Sequence, residues 1–303
     1  MPTLPLTTPL RSTHVPAVAA PGSHPAQLGP DLGLLTQRAA DRRRALRWLA
    51  VGGALPMGLL ACGGGGGGVA ASSTGSSDSS SGSGSTSGSC SVIPEETAGP
   101  YPGDGSNTVN GQLANALALS GIVRSDITTS IAGASGVAEG VPLTLTLNLV
   151  NASASCTSLA GYAVYLWHCD QAGRYSMYSS GVTDENYLRG VQATDGNGQV
   201  SFTTIVPGCY DGRMPHMHFE IYPSLDSATS AAQKIKTSQL SFPLDMLNQA
   251  YASAGYETSV RNLASISFAT DNVFSDGTSL QICSVTGSVA AGYAAELQVA
   301  ISA

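Results

Sequence analysis

The sequence predicts an all-β fold: a β-sandwich of mainly antiparallel strands with little helix, preceded by a disordered N-terminal region. Three observations carry this. From Val141 onward, apolar and polar residues alternate with a period of two, as they must in a strand with one buried face. Runs rich in β-branched and aromatic residues are separated by turns built from Gly, Asp and Asn. The first third of the chain is low in complexity, so the remaining roughly 210 residues form one compact domain, large enough for a proper core.

The elements follow in order. LTLTLNLVNA is the first clear strand, with Leu on one face and Thr or Asn on the other. AGYAVYLWHCD is the second. QVSFTTIV, introduced by the turn DGNG, is the third. HMHFEIY is the fourth and KTSQLSF the fifth. PLDMLNQAYASAG has the composition of a short helix. SLQICSVTG and AELQVAIS close the chain as strands. The segment from Cys90 to about Gly140 is rich in Ala, Gly and Ser. It reads as an irregular arm, and ENYLRG reads as a loop. No internal repeat is present.

Upstream, residues 1 to about 37 are Pro-rich and unpatterned. DRRRALRWLAVGGALPMGLLAC then joins a basic stretch to an apolar one too short to span a bilayer, the pattern of an export signal. The arginines resemble a twin-arginine signal. Leu59-Leu60-Ala61-Cys62 resembles a bacterial lipobox, which implies cleavage before Cys62 and a lipid on its thiol, with an exported, periplasmic or cell-surface, location. The expected organisation is an extension and signal over 1–61, a flexible Gly/Ser linker over 62–89 and a folded domain over 90–303. From Cys62 on, seven basic residues face 18 acidic ones, a net of −11. That balance argues against nucleic acid as a partner and leaves the lipid anchor as the only membrane contact.

The chain has six cysteines. With Cys62 lipidated, five remain, so at least one thiol is unpaired. Cys90, Cys156 and Cys283 sit at boundaries and look like disulfide staples. Cys169 and Cys209 lie close in sequence to Trp167 and Tyr210.

The chemistry concentrates in GCYDGRMPHMHFEIY. His216 and His218, two apart on a strand, project to one side. Tyr210 precedes them across a Gly- and Pro-punctuated turn that carries Arg213, and Tyr175 offers a second phenol. A His-x-His pair alone also occurs in zinc hydrolases and in cupins. Imidazole suits several transition metals; two ionised phenols added to it favour a hard ion of high charge, Fe(III), over zinc. His168 points away from Trp167 and is read as structural. Tyr165, Tyr178 and Tyr187 are read as packing residues, and Asp184 with Glu185 lacks the context of a catalytic carboxylate pair.

From about Cys90 to the C-terminus the chain resembles the intradiol ring-cleavage dioxygenases, non-haem ferric enzymes that open catechols between the two hydroxyls. The blocks that carry the resemblance are GRYSMY, GNGQVSFTTIVPGCY and GRMPHMHF. It implies that Tyr175, Tyr210, His216 and His218 hold Fe(III), with Tyr210 the ligand displaced when a catechol binds. It also implies that Arg213 stabilises charge developing on the substrate, and that Gln239 and Trp167 support the site from behind. By the same resemblance Thr97, Gly99 and Pro100, with Tyr101 nearby, border the substrate pocket. The implied partners are a small catechol-type aromatic and O2, and the implied product is a muconate-type diacid. Cys209 stands where the family often has Pro or an aromatic residue. The competing expectation is a non-catalytic exported sandwich that keeps the fold and binds a sugar or cell-wall component.

Overall fold

The computed structural model describes residues 90–303. The signal, the lipobox with Cys62 and the Gly/Ser linker lie outside the described residues. Among the described residues, the strands are β1 (Asp104–Val109), β2 (Gln112–Asn115), β3 (Pro142–Asn151), β4 (Thr157–Ser158), β5 (Ala163–Trp167), β6 (Arg189–Ala193), β7 (Gln199–Ile205), β8 (Met217–Tyr222), β9 (Lys236–Leu240), β10 (Ser284–Ser288) and β11 (Gly292–Ile301). The α-helices are α1 (Leu244–Ala250) and α2 (Glu257–Leu263). The fold is all-β, as the alternation predicts. No described helix is long and apolar enough to cross a membrane.

Two sheets make the sandwich. One runs β10–β11–β3, with β7 and the short β4 also pairing with β3. β3 and β11 are parallel; the other pairs in this sheet are antiparallel. The second sheet, β6–β5–β8–β9, is antiparallel throughout. The inner face of β3 presents Leu143, Leu145, Leu147 and Leu149. They meet Val164 and Leu166 of β5 and Met217, Phe219 and Ile221 of β8 in one buried cluster. At about 25 cal/mol per Å² of apolar surface removed from water, this layer is the main source of stability.

β5 and β8 are buried along their whole length. One face of each enters the sandwich core. The other lies beneath a second cluster that contains Ala163, Tyr165, Trp167 and Tyr222, with Ala98 and Tyr101 of the N-terminal arm packed on it. The second sheet is thus covered on both sides, and the space between its outer face and the arm holds the candidate site.

Several sequence expectations are corrected here. The arm is not wholly irregular, because β1 and β2 form an antiparallel hairpin. Within ENYLRG, Arg189 opens β6, which pairs with β5. Its Gly-Arg composition hides the strand, and both residues are buried under the arm rather than alternating in and out. α2 was not expected; its N-cap residue, Tyr256, makes no side-chain capping bond, so the usual start signal is missing. Cys90 and Cys156 form a disulfide, whereas Cys283 is a buried free thiol. Cys283 follows the Ser241–Ile282 bridge, deep in the sandwich core, where none of the other described cysteines reaches it.

Candidate metal and substrate site

His218 occupies β8 opposite Gln239 of β9 and Trp167 of β5. Its ring stacks on the Trp167 indole, with centroids 4.9 Å apart and planes 6° from parallel. His216 lies just before the strand. The Met214 carbonyl is 2.6 Å from its Nδ1, so that nitrogen carries the proton and Nε2 presents a bare lone pair. Three further donors surround that lone pair: His218 Nε2 at 3.1 Å, Tyr210 Oη at 3.2 Å and Tyr175 Oη at 3.5 Å.

The two phenols arrive from neighbouring loops locked together at glycines. A Cβ on Gly208 would lie 2.6 Å from the Gln171 carbonyl, so only glycine permits this approach. Asp170 organises the Tyr175 loop. Its Oδ1 accepts from the Ala172 and Arg174 amides, and its Oδ2 from the Arg174 guanidinium and the Tyr187 hydroxyl.

Burial governs the ionisation of all four groups. It raises the Tyr175 phenol well above its ordinary value, with Tyr210 adding to the effect, and raises Tyr210 to about 12 despite the nearby Arg213. Burial also pushes both imidazoles well below their ordinary value, helped by Arg213 on His216 and by His216 and Arg213 on His218. The four groups are therefore neutral donors aimed at one point. Donors each held about 2.0–2.1 Å from a metal ion stand about 3 Å from one another, which is the spacing observed here. His218 Nδ1 is a buried atom with no hydrogen bond. Among the described residues no group of three or more His, Cys, Asp or Glu side chains is placed to hold a metal. The set that does converge owes half its donors to tyrosine.

Arg213 is buried, with its Nη1 3.5 Å from His216 Nε2. Its Nε donates to Asp271 Oδ2 at 3.0 Å and its Nη2 to Gln239 Oε1 at 2.7 Å. Burial opposes its charge, but Tyr210 and Asp271 outweigh that and raise its pKa. Gln239 passes the contact on, its Nε2 donating to the Thr97 carbonyl at 2.9 Å. The structure therefore brings Thr97 and Gln239 to the site. It brings Gly99 as well: with φ of +68°, a Cβ there would stand 3.3 Å from His218 Cε1. Pro100 lies one residue further along the arm, its carbonyl accepting from Asn107. Tyr101 rests on Tyr175, with centroids 5.0 Å apart.

His168 is turned away, as expected, with Nε2 2.6 Å from Thr204 Oγ1 and Nδ1 2.8 Å from the Cys169 carbonyl. Glu185 accepts from the Gly136 amide. Cys169 and Cys209 donate to backbone carbonyls, at Gly208 and Arg213 respectively. Asp271 was missed. It lies far along the chain in a stretch with no motif, and only the fold sets it beside Arg213.

A family model described as "Dioxygenase" matches residues 123–271, which span Tyr175, Tyr210, Arg213, both histidines and Asp271. An intradiol ring-cleavage dioxygenase from Tetranychus urticae superposes with a TM-score of 0.53 at 25% identity, covering 70% of this chain and 95% of that one. Over residues 123–271 the chain is a dioxygenase by its family model, and the structures it resembles are intradiol ring-cleavage dioxygenases. Other dioxygenases superpose more loosely. The dioxygenase domain of a carbohydrate-binding fusion from Streptomyces sp. SirexAA-E gives a TM-score of 0.43 at 22% identity, covering 70% of this chain and 98% of that one. A 3-chlorocatechol 1,2-dioxygenase from Rhodococcus opacus gives 0.40 at 18%, covering 68% and 71%. No curated protein matches the chain. Intradiol dioxygenases cleave catechol-type rings with O2 and use non-haem Fe(III).

Proposed function

We propose that this chain is an active intradiol dioxygenase that binds Fe(III) through Tyr175, Tyr210, His216 and His218, and converts a catechol-type ring and O2 to a muconate-type diacid. The supporting observation is the convergence of two phenol oxygens and a second imidazole on the bare lone pair of His216. The donor set fits a hard ion of high charge, because desolvated phenols ionise near neutral pH only beside strong positive charge. When bound, such an ion would supply Lewis acidity toward both oxygens of a diol.

The chain's own residues do the rest. Tyr210 is only half-buried, whereas Tyr175 is fully buried. Tyr210 is therefore the phenol that can leave the centre and accept a proton from an incoming diol. Arg213 offers Nη1 where negative charge builds on the ring, and Asp271 and Gln239 fix that guanidinium. The Gly99 backbone gives the substrate side of His218 a wall without a side chain. The reaction adds both oxygen atoms of O2 and breaks the carbon–carbon bond between the hydroxyl-bearing carbons.

The same reading makes the enzyme an exported one, tethered through a lipid at Cys62, and acting on small aromatics outside the cytoplasm. The test is iron analysis, a visible spectrum and oxygen uptake with catechol on the purified chain. The expected protein is wine-red, changes hue on adding catechol and consumes oxygen. A colourless, iron-free protein without uptake overturns the proposal in favour of a binding module.

A further inference from the structure

Arg189 opens β6 and is fully buried. None of its hydrogen bonds goes to a carboxylate. Its Nε donates to Ser176 Oγ at 3.1 Å. Its Nη1 donates to the Pro102 carbonyl at 2.7 Å and to Tyr165 Oη at 3.1 Å. Its Nη2 donates to the carbonyls of Tyr101 and Ser176, both at 3.0 Å. All five guanidinium N–H groups are committed, and Cζ lies 5.4 Å from the centroid of the Tyr178 ring. Burying an arginine on neutral partners is costly, so the arrangement calls for a reason beyond packing.

The partners supply it. Ser176 follows Tyr175, and Tyr101 and Pro102 follow the Gly99–Pro100 wall. Tyr178 adds a second tie between the same two segments. Its hydroxyl accepts from the Gly103 amide at 2.7 Å and donates to Asn107 Oδ1 at 2.7 Å. Asn107 in turn holds the Pro100 carbonyl. A Cβ on Gly103 would come within 2.9 Å of Arg189 Nη1, so the arm's backbone is pressed directly onto the guanidinium. The Tyr101 ring on Tyr175 closes the loop.

We propose that Arg189, seconded by Tyr178, is a positioning residue that clamps the Tyr175 segment and the Gly99–Tyr101 arm into one unit, so that the fully buried phenol and the wall over His218 reach the centre in fixed relation. Its bearing on a metal rests on the function proposed above; the clamp itself does not.

The test uses the full chain with Arg189→Lys, which keeps the charge but loses the five-donor fork, and with Tyr178→Phe, a milder cut in the same clamp. Amide exchange is followed on iron-free protein over residues 97–104 and 173–179, and the visible band and kinetics are followed on iron-loaded protein. For Arg189→Lys, exchange rises about tenfold or more in both segments together, the visible band moves in wavelength, and kcat falls about 10- to 100-fold. Should Arg189→Lys not fold, Tyr178→Phe carries the test, with faster exchange over 97–104 and a band shift in the same direction. The proposal is overturned if a folded variant keeps the wild-type band, whether or not the arm loosens, because the arginine is then scaffold only. A wild-type chain that takes up no iron removes the metal reading alone, and coupled exchange in the two segments still decides the clamp.

Discussion

Replacing Asp271 with Asn probes the electrostatics of the site more directly than replacing any of the convergent donors. The Asp271 side chain has no solvent exposure and accepts four N–H groups. Oδ2 takes the Met214 amide at 2.6 Å and Arg213 Nε at 3.0 Å; Oδ1 takes the amides of Val273 and Phe274 at 2.8 and 3.1 Å. An asparagine of the same shape must turn an NH2 toward at least one of these donors, and it leaves a buried guanidinium without its counter-charge. Breaking a buried pair from one side costs about 3–5 kcal/mol. In a domain of this size each kcal/mol moves the melting temperature by about 2–4 °C, so Asp271→Asn should melt roughly 6–20 °C lower. The Arg213→Met/Asp271→Asn double variant should regain part of that loss, since no unpaired charge remains, and the coupling appears in a double-mutant cycle. The assay is calorimetry on the iron-free protein, which separates folding from metal binding. If Asp271→Asn melts within about 2 °C of wild type, the buried pair is not what fixes Arg213, and the argument built on it fails.

Three further outcomes are expected. Tyr175→Phe and Tyr210→Phe should each bleach or shift the visible band, with Tyr175→Phe also losing iron on dialysis; retention of both colour and oxygen uptake in Tyr175→Phe would remove it from the donor set. Gly99→Ala should cost about 1–2 kcal/mol from the left-handed backbone alone, with a larger effect on turnover because its methyl meets the His218 ring at 3.3 Å; equal activity and stability would show that the arm stands further off. Burial lowers the His168 pKa to about 4, against about 6.5 unfolded, so between these values the unfolded chain binds the extra proton. Stability on this account is complete above about pH 6.5 and declines by about 3 kcal/mol as pH falls toward about 4; urea titrations across that range should lose this slope in His168→Gln.

The fold was legible wherever one strand face is buried and the other is not. The Leu–Thr alternation of β3 marks that strand residue by residue. The helix α1 and the strands β5, β7, β8 and β9 were legible from composition. β6 was not, because the arm buries its outer face and its side chains follow the arm's needs rather than a period of two. The site divides the same way. Tyr210, Arg213, His216 and His218 lie within nine positions, so their spacing carries information, and Tyr175 joins them through a second short motif. Asp271 and Arg189 left no such trace. Asp271 spends three of its four bonds on backbone amides, and Arg189 donates chiefly to backbone carbonyls. Backbone groups are present at every position and mark none.

The two buried arginines also clarify why the donors are phenols. Ionising Tyr210 from a pKa of about 12 costs about 1.4 kcal/mol for each pH unit below that value, and Tyr175, more deeply buried, costs more. Arg213 meets only part of this cost: it draws both phenols down, but Asp271 shares its charge at 3.0 Å and Tyr210 still stays at about 12. Arg189 does not supply the rest, since it is spent on the arm. The protein has thus set beside the centre one arginine whose charge is shared with Asp271 and another committed to the arm, and donors that stay neutral until a further charge arrives. A divalent ion returns less Coulomb energy to each phenolate than a trivalent one at the same distance. On the function proposed above, a site tuned this way would favour the higher charge and would leave Tyr210, the more exposed and less costly phenol to reprotonate, free to exchange when a diol competes for its place.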